Sequence, residues 1–233
     1  MKHMMQVWMA TTAVMVLTTM ALADSGNQLM QNQAHWYQAA ATLVGPVDGI
    51  DAKTGTLLTL KTGSSVYMEG GSTLHLYQMN AHALKGSAVV KGSSTDLLKA
   101  LKAGKVGSMS LVVPVAVLKS RESGLDDNAD KALKSTENPE IRFDLTKESL
   151  VAGVSNDSYV MNASGTLTIA GVTNPVTLVS HVTISDNQIH LKGVQKLKMT
   201  DFKITPPSIS LVVTSITCTD EITVYYDVIF AAK

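Results

Sequence analysis

Gly165-Thr-Leu-Thr-Ile-Ala-Gly-Val-Thr-Asn-Pro-Val-Thr-Leu178 decides how the rest of the chain is read. Leu167 and Ile169 alternate with Thr166 and Thr168, turn residues follow from Gly171 to Pro175, and Val176 and Leu178 resume the alternation around Thr177. Two β-branched runs split by Gly, Asn and Pro predict a hairpin, because the turn residues supply the bend while period-two patterning buries one face of each arm. Each arm then carries one apolar face and one hydroxyl face.

The same pattern extends in both directions. Val66 to Met79 and Ala81 to Val90 alternate, and Met109, Leu111, Val113, Val115 and Val117 share a face, with Pro114 marking a bulge or an open edge. Ile141, Phe143 and Leu145 alternate with Arg142 and Asp144. Beyond a turn at Asn156 and Asp157, Tyr159, Met161 and Ala163 lead into the hairpin. After it come Val176, Leu178, Ser180, Val182 and Ile184 on one face. Ile189, Leu191, Leu197 and Met199 lie opposite His190, Lys192, Lys196 and Lys198, as a solvated outer wall requires. Ile222, Val224, Tyr226, Val228 and Phe230 close the chain. Two stretches change period: Leu97, Leu98 and Leu101, capped by Ser94 or Thr95 and closed by Gly104, and Leu125 to Leu133, both predicting short helices. The expected fold is all-β, an antiparallel barrel of about eight strands with one or two short helices at the connections. A two-sheet sandwich would give a similar pattern.

Residues 1–23 predict a secretory signal, with Lys2, an apolar run from Met9 to Leu22 and small residues at Ala21 and Ala23, hence a cut after Ala23. The run is shorter than the ~20 residues a membrane span needs. Half of the 12 methionines fall in this segment. Removing it takes one Lys, leaving 18 basic against 19 acidic residues, a net charge of −1 that gives no long-range pull on nucleic acid. Residues 24–61 are expected to form an N-terminal extension with a loop and an edge strand, and 62–233 the barrel domain. Cys218 is the only cysteine, so no intrachain disulfide can form.

Four segments, in order, resemble the YceI-like family of periplasmic, lipocalin-like barrels that bind polyisoprenoid lipids. Ser72-Thr-Leu-His-Leu-Tyr-Gln-Met79 is similar to its N-terminal strand and Glu137-Asn-Pro-Glu-Ile-Arg-Phe143 to a later strand entry. Gly165 to Val176 resembles its G-x-L-T-I-x-G-V-T-x-P-V hairpin, and Met199-Thr-Asp-Phe-Lys-Ile-Thr-Pro206 its late D-F-x-I segment. Ala170, Asn138 and Lys203 depart from the family pattern at positions that bear on local turns. The resemblance implies a lipocalin-like barrel and a periplasmic or secreted protein holding a polyisoprenoid or similar chain, for sequestration or transport. The strand faces alone fit a solid core equally well; the resemblance favours a tunnel. On that reading Leu111, Val113, Phe143, Leu167, Ile169, Leu178, Val182, Leu191 and Val224 line the apolar interior. A one-residue slip in any strand would invert its choice.

No catalytic residue, cofactor or metal site is expected. His75 and His82, seven apart, offer a metal pair only if a turn brings them onto neighbouring strands; surface or structural histidines are the simpler account. Asp126, Asp127 and Asp130 lack the glycine of a calcium loop. Asp201-Phe202 reads as a turn cap with a core plug, and Tyr159, Tyr225 and Tyr226 could offer phenols to a ligand head group. The expected partners are an isoprenoid or other long-chain lipid and, transiently, envelope membranes, with a homodimer open and no nucleic acid. The alternative is an adhesion-type β-sandwich with a packed core and partner-binding loops.

Overall fold

The structure, a computed structural model, describes residues 55–91, 97–152, 158–185, 187–210 and 215–232. The expected signal at 1–23, most of the extension, the cap at Ser94 or Thr95 and the turn at Asn156 and Asp157 lie outside the described residues.

Among the described residues eleven strands build one antiparallel sheet that closes on itself, with β10 (Ser208–Ser210) off the main path. β1 (Gly55–Leu60) and β2 (Ser65–Ser72) run end to end along one edge of β11 (Ser215–Ala232), and β3 (Leu76–Ala81) and β4 (Lys85–Lys91) pair with them in turn. β5 (Val106–Pro114), β6 (Glu140–Ala152), β7 (Ser158–Ile169), β8 (Val172–Ser185) and β9 (Gln188–Lys198) complete the circle back to β11. The wall thus has eight strand positions, and the closure removes the sandwich alternative. Closure pairs most of the wall on both sides and so limits exposed sheet edge.

The segment read as loop plus edge strand before residue 62 contributes β1, which pairs with β4 on one side and β11 on the other. It closes the barrel, and Leu58 is fully buried. Sequence pattern understated it because three apolar residues, Leu57, Leu58 and Leu60, give too short a run to show which sides are paired. Pro114 is the last residue of β5, two beyond its final pairing with β4 at Val112, so its missing N–H costs no bond there.

The central hairpin forms with a tighter turn than expected. Ile169 pairs with Val172, leaving only Ala170 and Gly171 at the bend, both with positive φ (49° and 78°). That two-residue geometry matches strand twist, so Asn174 and Pro175 sit inside β8 instead of in the turn.

Two helices interrupt the meander. α1 (Leu97–Lys102) buries Leu97, Ala100 and Leu101 against Leu58, Val90, Met109 and Phe230, sealing one end of the barrel with packed hydrocarbon. α2 (Ser123–Ala132) lies at the other end beside Val66, Met79 and Val113. A 3-10 turn, Met199–Phe202, also sits at that end and buries Met199 and Phe202.

Candidate ligand cavity

Inward residues of an eight-stranded barrel either fill it or leave room for one slender ligand. Here they do both. The half nearest α1 is solid, and a cavity of about 210 Å³ occupies the remainder. Met109, Phe143, Met161 and Phe230 form its floor, while Leu125 and Ala129 of α2 and Leu133 just after it face it from above. No residue of α2 is fully buried, because its apolar face looks onto open space instead of a packed core.

Glycines at inward positions create much of that space. A Cβ on Gly193 would stand 2.0 Å from the Tyr226 hydroxyl, one on Gly165 2.9 Å from the Phe143 ring, and one on Gly70 2.3 Å from Tyr77. Each aromatic therefore lies against the wall over a glycine of a neighbouring strand. Ala170 and Gly171 owe their use to the turn; these three owe theirs to close approach.

The lining is almost wholly hydrocarbon. The Tyr226 hydroxyl lies 2.9 Å from Ser180 Oγ and donates to the Val179 carbonyl at 3.1 Å. Burial pushes its phenol above the ordinary value, against a smaller opposing effect of Ser180. Burial likewise pushes the Tyr77 phenol up, helped by neighbouring Cys218, which is a free thiol on the lining. Among the described residues no buried side-chain nitrogen or oxygen lacks a partner. An unpaired charge entering such a space would meet a large desolvation cost, so the chemistry it suits is that of an uncharged apolar chain.

Eight of the nine residues expected to face the interior line this cavity: Leu111, Val113, Phe143, Leu167, Ile169, Leu178, Leu191 and Val224. Val182 points inward too, but is buried in the packed end next to Tyr159 and Met161. Sequence reasoning missed the methionine lining, Met68, Met79, Met109, Met161 and Met199, and the face of α2. Four of them fall at inward strand positions and Met199 in the 3-10 turn, and such flexible side chains suit a surface that must adapt to a ligand.

Of the tyrosines proposed for a head group, Tyr226 lines the cavity and the other two are engaged elsewhere. Tyr225 stacks on Tyr67 outside the barrel (4.4 Å between centroids) and donates to Glu69 at 3.0 Å. Tyr159 lies in the packed end under the Lys102 ammonium. His75 and His82 flank β3 at opposite ends and are both exposed, so no turn brings them together. Among the described residues no cluster of three His, Cys, Asp or Glu side chains could hold a metal ion. Phe202 plugs the core, and exposed Asp201 offers its carbonyl to Asn174 at 2.8 Å.

A closed antiparallel barrel with a blind, hydrocarbon-walled lumen defines a lipocalin-like architecture. The YceI-like domain model matches residues 62–230, and the chain belongs to that family. Burkholderia cenocepacia BcnA shares the fold at a TM-score of 0.55 and 16% identity, over 72% of this chain and 96% of that one. A polyisoprenoid-binding domain from Saccharophagus degradans shares it at 0.54 and 11% identity, over 76% and 99%. No curated protein matches the chain by sequence.

Proposed function

We propose that this protein holds one long-chain lipid, a polyisoprenoid or similar apolar chain, in the barrel lumen and sequesters or carries it with no covalent step. The single observation that carries the reading is the cavity of about 210 Å³ walled by hydrocarbon and floored by Met109, Phe143, Met161 and Phe230. At the ~30 Å³ that one water-sized group takes up in a liquid, the lumen takes about seven carbons. Seven methylenes at ~0.8 kcal/mol each give about 6 kcal/mol gross, which exceeds the lower estimates of the ~4–15 kcal/mol cost of association. The family membership and the Saccharophagus relative described as a polyisoprenoid-binding domain support the class of ligand.

The chain is proposed to act outside the cytoplasm, in the periplasm or secreted, after removal of residues 1–23. Leu111, Val113, Phe143, Leu167, Ile169, Leu178, Leu191 and Val224 are the proposed contacts, with Val182 supporting them from the packed end. Purification from the native envelope, followed by lipid extraction and mass spectrometry, tests this. One apolar chain per protein is expected; the absence of any such chain, with no uptake of added prenol, overturns the proposal.

A further inference from the structure

The barrel wall is not hydrogen-bonded all the way round. β8 and β9 share a ladder only from Ser180↔Gly193 to Ser185↔Gln188, although β8 begins at Val172 and β9 runs to Lys198. Over the unpaired stretch each strand stays joined to its other neighbour, β8 to β7 and β9 to β11. The two strands part locally, and neither one frays. Val179 and Val194, the first pair beyond the fork, are each 51% exposed. At the fork itself the Tyr226 hydroxyl reaches the Val179 carbonyl, a bond that stands where the ladder has stopped.

Unpaired backbone inside a wall needs other partners. The 3-10 turn borders the parting: the Asn174 side-chain amide donates to the Asp201 carbonyl, and buried Phe202 lies beside it, so the strand backbone there is left to solvent or to a ligand. Outside the parting lies a groove bordered by Asn174, Pro175, Lys196 and Glu221. Gln195, Leu197, Lys198 and Phe202 border both this groove and the lumen. Lys198 is the one residue on the lumen lining that is classed as exposed. The opposite end is sealed by α1 and the top is faced by α2, so the side wall is where apolar lining gives way to polar surface.

The groove is charge-balanced. Lys196 and Lys198 face Asp201 and Glu221, and Lys196 pairs with Glu221 at 2.8 Å. A diphosphate would need an excess of cationic donors, which this groove does not have. Amides and backbone groups suit a small uncharged head.

We propose that the parting of β8 and β9 is where the polar end of the ligand leaves the lumen, and that the groove outside receives a neutral, hydrogen-bonding head such as an alcohol or a ketone carbonyl. This rests on the lipid reading above. It follows from a lumen of limited length: a chain whose apolar tip reaches the Phe143 and Phe230 floor has its other end at the fork.

Two photoreactive analogues of a ten-carbon prenol test it on the full chain, one with a diazirine beside the hydroxyl and one with it at the hydrocarbon tip. Peptide mapping after irradiation is expected to place the tip label on Met109, Phe143, Met161 or Phe230 and the head label on residues 174–176 or 195–198. Head labelling on α2 or on the β2–β3 hairpin, with the tip label on the floor, overturns this inference and leaves the lipid reading standing. A tip analogue that labels no lumen residue overturns both. A chain-matched prenyl diphosphate is expected to bind at least tenfold more weakly than the alcohol, and equal or tighter binding refutes the neutral head.

Discussion

Gly193→Ala tests whether glycines keep the lumen open. The new methyl would lie 2.0 Å from the Tyr226 hydroxyl oxygen, 2.2 Å from Cζ of its ring and 2.7 Å from the Val179 carbonyl oxygen. Tyr226 pairs directly with Gly193 across the ladder, so its ring has to swing off the wall. It then loses Ser180 Oγ and the Val179 carbonyl as partners. Overpacking costs ~1–3 kcal/mol and the lost hydrogen bonding ~1 kcal/mol, about 3 kcal/mol together. At ~2–4 °C per kcal/mol for a domain of this size, the melting temperature falls by ~6–12 °C. A ring turned inward also displaces about six ligand carbons, ~5 kcal/mol of gross burial. Urea unfolding of a double-mutant cycle separates the causes: in a Tyr226→Leu background Gly193→Ala is expected to cost under ~1 kcal/mol, a coupling of about 2 kcal/mol. Equal costs in the two backgrounds, or a single-mutant cost below ~0.5 kcal/mol, refute the reasoning.

Met161→Trp fills the floor and is expected to lower prenol affinity at least tenfold while far-UV circular dichroism stays unchanged, as read by ligand titration. Gly171→Ala places a side chain at φ 78° with its Cβ 2.7 Å from Asn138 Oδ1, and is expected to cost ~1–2 kcal/mol in urea unfolding. Asp220 accepts bonds from Thr200 Oγ1 at 2.7 Å and Thr200 N at 2.9 Å, and these hold its carboxyl below the usual range. A depressed folded value means the contribution is present above the unfolded value of ~3.9 and is lost as pH falls through the folded one. Protection of the Thr200 amide against hydrogen exchange is therefore expected to be constant from neutral pH down to about 4 and to drop below it; in Asp220→Asn the step is absent.

The strand faces were legible because alternation is a local signal: Leu191 and Val224 face inward for the same reason they look apolar on paper. The empty half of the interior was not. Val182, with the same composition and period as Leu178, ends in the solid half, since which inward residues touch a floor depends on where α1 docks. Gly70, Gly165 and Gly193 were the available signal, as isolated glycines at inward strand positions mark a close approach by something large.

The break between β8 and β9 was written in the sequence under another reading. Asn174-Pro175 looks like a turn when it follows Gly171 by three residues, and the two-residue bend at Ala170 and Gly171 displaces it into β8. A proline inside a strand is confined to an edge, because it cannot donate to a ladder on its free side. β8 is central by strand order yet edge-like at Pro175, where β7 is its only strand partner. An interior strand that tolerates proline therefore implies a neighbour that has moved away, and in this barrel the departing neighbour is β9, beginning at Val194. Restoring a donor tests the point directly: Pro175→Val adds an N–H that β9 is too distant to use, so stability changes by less than ~0.5 kcal/mol in urea unfolding. A gain above ~1 kcal/mol would mean that the strands close over the gap, and the side opening would then be a property of the proline alone.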